Sequence, residues 1–227
     1  MLNEKGILYV MTTAVDGLIK IGRTGSDTFE QRMYILEHNG YCNVTGLKRQ
    51  FAIEVEDYIA KENMIKKLFF RSRLADTELY SLDMQEVILL LSSFDGNQIY
   101  PQDETKEEVF KHAIDAAESS NLPDGEYYLS STVTTINGKE KVSGILRVEN
   151  GFLKLLKGTV IASESKITVK GYNKVRNEVS KKENQLLEDL RCDSVSMAAA
   201  IVCGSNQNGC EKWRDKNNNK INIYRNS

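Results

Sequence analysis

Glu62 is the residue whose position most clearly asks for chemistry. It falls three residues after Ile59 and three before Ile65, in a stretch with helical apolar spacing, so its carboxylate emerges on the packed side of the helix. A charge held there needs a reason: either a structural pair with an arginine, or a metal or phosphate site. Arg32 lies one position ahead of Met33, at the margin of another helix's apolar face. The sulfur and imidazole inventory is poor in metal chemistry. Cys42, Cys192, Cys203 and Cys210 are scattered without a CxxC pair, and His38 and His112 are the only histidines. This argues against a structural zinc site and for reduced thiols in a cytosol.

The elements that must position these groups follow from pattern. Residues 7–11 and 18–23 read as a hairpin around Asp16-Gly17. A helix capped by Ser26 or Asp27 carries Phe29, Met33 and Leu36 inward and stops near Asn39-Gly40. A third strand covers residues 51–55. Asp57 then opens a helix to about Phe70 with Ile59, Ile65, Leu68 and Phe69 as its inner side. Residues 79–82 are extended, a helix follows Asp83, and an acidic helix over 103–119 packs as a linker. Beyond Asp124-Gly125 strands are expected over 127–133, 142–148, 152–156 and 159–163, with a further one over 167–170. Helices over 175–190 and 197–202 follow. Trp213 packs over the second, and a strand over 221–224 ends the chain. Phe152 and Trp213 read as core residues. The fold class is α+β: a small antiparallel three-stranded sheet flanked by helices, then a second domain with a curled antiparallel sheet and two helices.

At 227 residues, two domains of about 100 residues each are the natural division. The expected boundaries are 1–101, a linker over 102–122, and 123–227. The overall charge of −2 hides an asymmetry, because residues 123–227 carry 17 Lys or Arg against 12 Asp or Glu. That segment is suited to non-specific phosphate attraction. The opening residues lack a signal-peptide apolar region, and no run approaches the roughly 20 apolar residues of a membrane span. A cytoplasmic protein without membrane association is expected.

Gly6-Ile7-Leu8-Tyr9-Val10-Met11 and Lys20-Ile21-Gly22-Arg23-Thr24, followed by Arg32 and Glu62 on successive helices, resemble the GIY-YIG nuclease superfamily over residues 6–95. The likeness is to the phage-T5-type branch, whose second motif commonly reads KIGRT. It implies a divalent-cation-dependent phosphodiesterase, using Mg2+ or Mn2+, that cuts one DNA strand per site. Tyr9 matches the tyrosine of the first motif, Arg32 the helix arginine and Glu62 the metal-binding glutamate. Lys20 stands where the second motif has a tyrosine. Arg23 follows Gly22 as in the branch, Glu78 falls where the branch often has a glutamate before an aromatic, and His38 matches a histidine that some members carry. The second half resembles a small domain of unknown function often attached behind restriction-type and GIY-YIG modules. The matching words are Gly151-Phe152 to Lys157-Gly158, Ser194 to Ala200, and Gly204 through Asn208-Gly209 to Trp213.

Under that resemblance Glu62 holds the metal, Arg32 clamps the nonbridging phosphate oxygens with help from Arg23, and Tyr9 accepts or relays the proton of the attacking water. A free phenol has a pKa of about 10, so Lys20 on the paired strand is expected to lower it. The residues alone leave a plainer alternative open: Tyr9 in the core, Lys20 facing solvent, and Arg32 paired structurally with Glu62. Function is expected to be that of a DNA endonuclease, in restriction or defence against foreign DNA. The rivals are a nucleic-acid-binding or regulatory protein on a nuclease scaffold that has lost catalysis, and a protein-interaction adaptor.

Overall fold

The computed structural model describes residues 4–226, which divide into two compact units between residues 113 and 114. In the first unit β1 (Lys5–Thr12) and β2 (Leu18–Thr24) form the hairpin, with Tyr9 opposite Gly22 and Met11 opposite Lys20. Helix α1 (Phe29–Asn39) leads to β3 (Lys48–Glu56), which pairs antiparallel with the other side of β1. After α2 (Tyr58–Leu68) come β4 (Leu79–Ser81), α3 (Met84–Ser93) and β5 (Asn97–Tyr100). The sheet therefore has five antiparallel strands in the order β4-β2-β1-β3-β5, where three were expected. The extra strands are edge pieces of three and four residues, too short for alternation to declare them.

Strand alternation sorts the side chains into two layers. Ile7, Tyr9, Met11 and Ala52 face Met33 and Leu36 of α1. Leu8, Val10, Ile53 and Val55 face the opposite way, toward Tyr58 and Ile65 of α2, Val87 and Leu91 of α3, and Val109 in the first half of α4 (Lys106–Ser120). On α2 the inner face differs from expectation: Ile59 and Leu68 are exposed, and the buried line runs Tyr58, Glu62, Ile65. That spacing of four and three residues is the stripe a helix starting at Tyr58 must bury. Glu62 lies on that stripe.

In the second unit β6 (Gly125–Thr135) and β7 (Gly138–Glu149) form a long hairpin, and β8 (Phe152–Leu155) returns along β7. Helix α5 (Lys170–Glu178) is followed by a short hairpin of β9 (Lys181–Lys182) and β10 (Gln185–Leu186), then by β11 (Leu190–Cys192) beside β8. The expected helix over 175–190 is thus halved. Glu183 and Asn184 adopt φ of 49° and 65°, a turn with both central residues left-handed, which closes a hairpin and cannot continue a helix. No strand forms over 159–163 or 167–170; Val160 makes only isolated bridges to Ser143 and Gln185. Residues 221–226 form a 3-10 turn instead of a strand.

Helix α6 (Val195–Cys203) begins where the Ser194 hydroxyl accepts from Met197 N–H at 3.1 Å and ends at Gly204, whose φ is 69°. Its small residues bring it close to the sheet in the core of the unit. After α7 (Gly209–Lys212), Trp213 is fully buried and its Nε1 donates to the Val195 carbonyl at 3.0 Å. Phe152 is not a core residue: 47% of it is exposed.

Candidate active site

The hairpin and α1 build the first part of the site. Tyr9 is fully buried and its ring crosses Gly22, the residue opposite it. A Cβ on Gly22 would lie 2.5 Å from the phenol oxygen and 2.9 Å from Lys20 Nζ. Arg32 reaches the same phenol from α1, its Nε donating across 3.4 Å. Lys20 is fully buried as well, not solvent-facing. Its ammonium donates to Glu78, which stands just before β4, and lies 4.4 Å from the Tyr41 ring centroid and 5.2 Å from that of Tyr9. A carboxylate and two ring faces thus replace the water this cation has lost.

Arg23 and Glu62 form the second part. Arg23 Nε donates to Glu62 Oε2 at 3.2 Å, and its guanidinium lies 5.4 Å from the Tyr58 ring. Lys66, one turn along α2, stands 2.6 Å from Glu62 Oε1 as an ion pair. Both carboxylate oxygens of the buried Glu62 thus face a cation. The glutamate is therefore paired with Arg23 and Lys66, and not with Arg32. Tyr9 packs in the α1 layer, whereas Glu62 lies on the α2 stripe with Tyr58 and Ile65 of the opposite layer. The charge of Glu62 works to raise the proton affinity of both Tyr9 and Lys20.

Burial pushes the Tyr9 phenol up; the hydrogen bond and charge of Arg32 oppose this without cancelling it. Burial pushes the Lys20 ammonium down, against the pull of Glu78. The expectation that Lys20 lowers the Tyr9 phenol is therefore reversed: Arg32 is the cation that pulls on the phenol, and the net shift is upward. His38 takes no part in this group. It stacks on Tyr34 at 4.0 Å, with Nδ1 2.8 Å from the Tyr34 carbonyl. Tyr41 and Lys66 joined the group without a sequence signal. The Tyr41 hydroxyl accepts from Glu78 N–H at 3.3 Å and so fixes the approach to Lys20.

Gly22 carries a direct prediction. Gly22→Ala forces its methyl into a phenol that has no free space to retreat to. It is expected to cost about 1–3 kcal/mol in urea unfolding, the usual range for overpacking, and to separate Tyr9 from Arg32.

Among the described residues no three or more His, Cys, Asp or Glu gather as metal ligands, and no helix is long and apolar enough to cross a membrane. Residues 134–225 match the model of a domain of unknown function, DUF4357. The match lies within the second unit and does not reach the residues of the site. No curated protein and no solved structure matches the chain.

Proposed function

We propose that the first unit is a DNA endonuclease of the GIY-YIG type, dependent on Mg2+ or Mn2+, serving restriction or defence in a cytoplasm. The observation that carries this is the convergence of Tyr9, Lys20 and Arg32 around Gly22, with the charge of the buried Glu62 felt at both Tyr9 and Lys20. The Glu62 carboxylate would hold a divalent cation, with waters and substrate phosphate completing the shell, in exchange for the Lys66 ammonium that stands 2.6 Å from its Oε1. Such an ion, when bound, neutralises charge on the phosphate and on the leaving oxygen.

The chain's own groups supply the rest. Arg32 is half-buried and fixed by Tyr9, which presents its planar set of donors to the nonbridging oxygens. Arg23, bound to Glu62 at 3.2 Å, would become a second phosphate ligand if Glu62 held the ion. Tyr9 keeps its proton at neutral pH, so it orients the attacking water and relays a proton, and does not act as a standing phenolate. Water adds to phosphorus and the bond to the 3′ oxygen breaks, leaving a 5′ phosphate and a 3′ hydroxyl. The test is conversion of supercoiled plasmid to open circle, expected with Mg2+ or Mn2+ and absent in EDTA. Tight DNA binding without nicking in either metal would overturn the reading.

The second reading is an inactive nucleic-acid-binding protein on the same scaffold. It is favoured by one observation: the two key carboxylates are already engaged, Glu78 by Lys20 and Glu62 by Arg23 and Lys66.

A further inference from the structure

The four-stranded sheet of the second unit buries one face and leaves the other open. Leu129, Val142, Leu146 and Leu155 enter the core. Alternation sends their neighbours outward, with Tyr128 opposite Ile145 and Thr132 opposite Lys141. Arg147, Lys154 and Arg191 stand side by side across β7, β8 and β11. Tyr128 and Phe152 on this face are 41% and 47% exposed, and the Arg191 guanidinium lies 4.9 Å from the Phe152 ring centroid. The acids among the outward strand positions, Glu126 and Glu149, both lean on Arg147, at 2.7 and 3.8 Å. The cations at outward strand positions, Lys139, Lys141, Arg147, Lys154 and Arg191, outnumber these two acids and leave the face positive.

The positive surface continues past the sheet edge. Arg214 pairs with Tyr128 through backbone hydrogen bonds of 2.7 and 3.0 Å. This places Lys212, Arg214 and Lys216 beside the Tyr128 ring in a cleft of about 470 Å3. Asp215 in that cleft is already engaged by Asn217, Asn219 and Tyr224. A second hollow of about 370 Å3 lies on the other side of Tyr128, lined by Ser143, Ile145 and Lys157. Tyr128 therefore lines both a cleft with three cations and a hollow with one.

We propose that this open face binds single-stranded DNA, with bases stacked on Tyr128 and Phe152 and phosphates along Lys154 and Arg191 and into the Arg214 cleft. Exposed rings spaced among cations are what a single strand uses, because its bases present free faces to stack on. A duplex hides those faces and needs the cations alone. The choice of DNA over RNA rests on the activity proposed for the first unit, whereas the platform itself needs no hydrolysis.

The test uses the full chain in EDTA and labelled oligo(dT) of about 20 residues, followed by fluorescence anisotropy, with oligo(rU) and a duplex of equal length as comparison arms. Y128L/F152L, which keeps apolar bulk and removes both rings, is expected to lose at least about tenfold in oligo(dT) affinity, since stacking contributes roughly 1–3 kcal/mol per base. K154A/R191A should reduce the slope of log affinity against log salt by about 1.4. E62A should bind oligo(dT) as the parent does, which separates this proposal from the nuclease reading. Parent-like binding by Y128L/F152L at an unchanged unfolding temperature overturns the platform, and so does absent oligo(dT) binding, as for a face that docks a protein. Tighter binding of duplex or of oligo(rU) overturns the assignment to single-stranded DNA.

Discussion

Arg32→Ala should lower single-turnover nicking by about 10²- to 10³-fold, the loss usual for a donor that meets developing charge in a transition state. The guanidinium is half-buried and its Nε is held on the Tyr9 phenol. Arg32→Lys keeps the charge and loses the fork, and it should recover only a small part of the rate. DNA binding in EDTA should change little in either variant. If R32A nicked at the parental rate, Arg32 would be a structural partner of Tyr9 and nothing more.

Glu78→Ala should have the largest effect on stability. It removes the carboxylate that pairs with the fully buried Lys20 ammonium. Breaking a buried pair from one side typically costs 3–5 kcal/mol, and because a quarter of the Glu78 side chain is exposed the lower end, about 3 kcal/mol, is expected. Lys20→Met in the same chain should return most of that loss, since the pair is then replaced by apolar packing. The pH dependence follows from the sign of the Lys20 shift. Burial lowers its proton affinity in the fold, and loss of Glu78 lowers it further. The unfolded chain then binds more protons between the folded value and the ordinary lysine value of about 10.4, so E78A should gain stability as pH rises through that window and show its full deficit below it. Denaturant unfolding of parent, E78A and K20M/E78A across that range measures both effects. Equal stability of parent and E78A at neutral pH would mean that Tyr41 and water suffice to hold Lys20.

The parts of this arrangement that a sequence can show are those set by local period. The hairpin, the Met33 face of α1 and the inward position of Glu62 all follow from spacing within single elements. The environment of Lys20 does not. Read alone, β2 alternates and its lysine faces solvent; the three-residue strand β4 brings Glu78 beside it, with Tyr41 covering the other side. Partner choice is hidden for the same reason. Arg23 and Arg32 are equally plausible mates for Glu62 until alternation sends Arg23 toward α2 and leaves Arg32 on the α1 layer. In the second unit Val175 to Leu190 has enough polar and apolar spacing for a helix, and only the two left-handed residues at 183 and 184 make it a hairpin. Phe152 reads as core by residue type, but the next residue, Leu153, is the one that points inward.

The central claim, that the site around Tyr9, Arg32 and Glu62 hydrolyses a phosphodiester, is tested most directly by the ends of the nick. Plasmid treated with the parent and Mn2+ or Mg2+ is given to DNA ligase, beside the same treatment with E62A. The account predicts open circles that the ligase reseals, from 3′ hydroxyl and 5′ phosphate ends, and supercoiled plasmid left intact by E62A, whose thermal unfolding stays cooperative. Parent-like nicking by E62A, or nicks that the ligase cannot close, would contradict it.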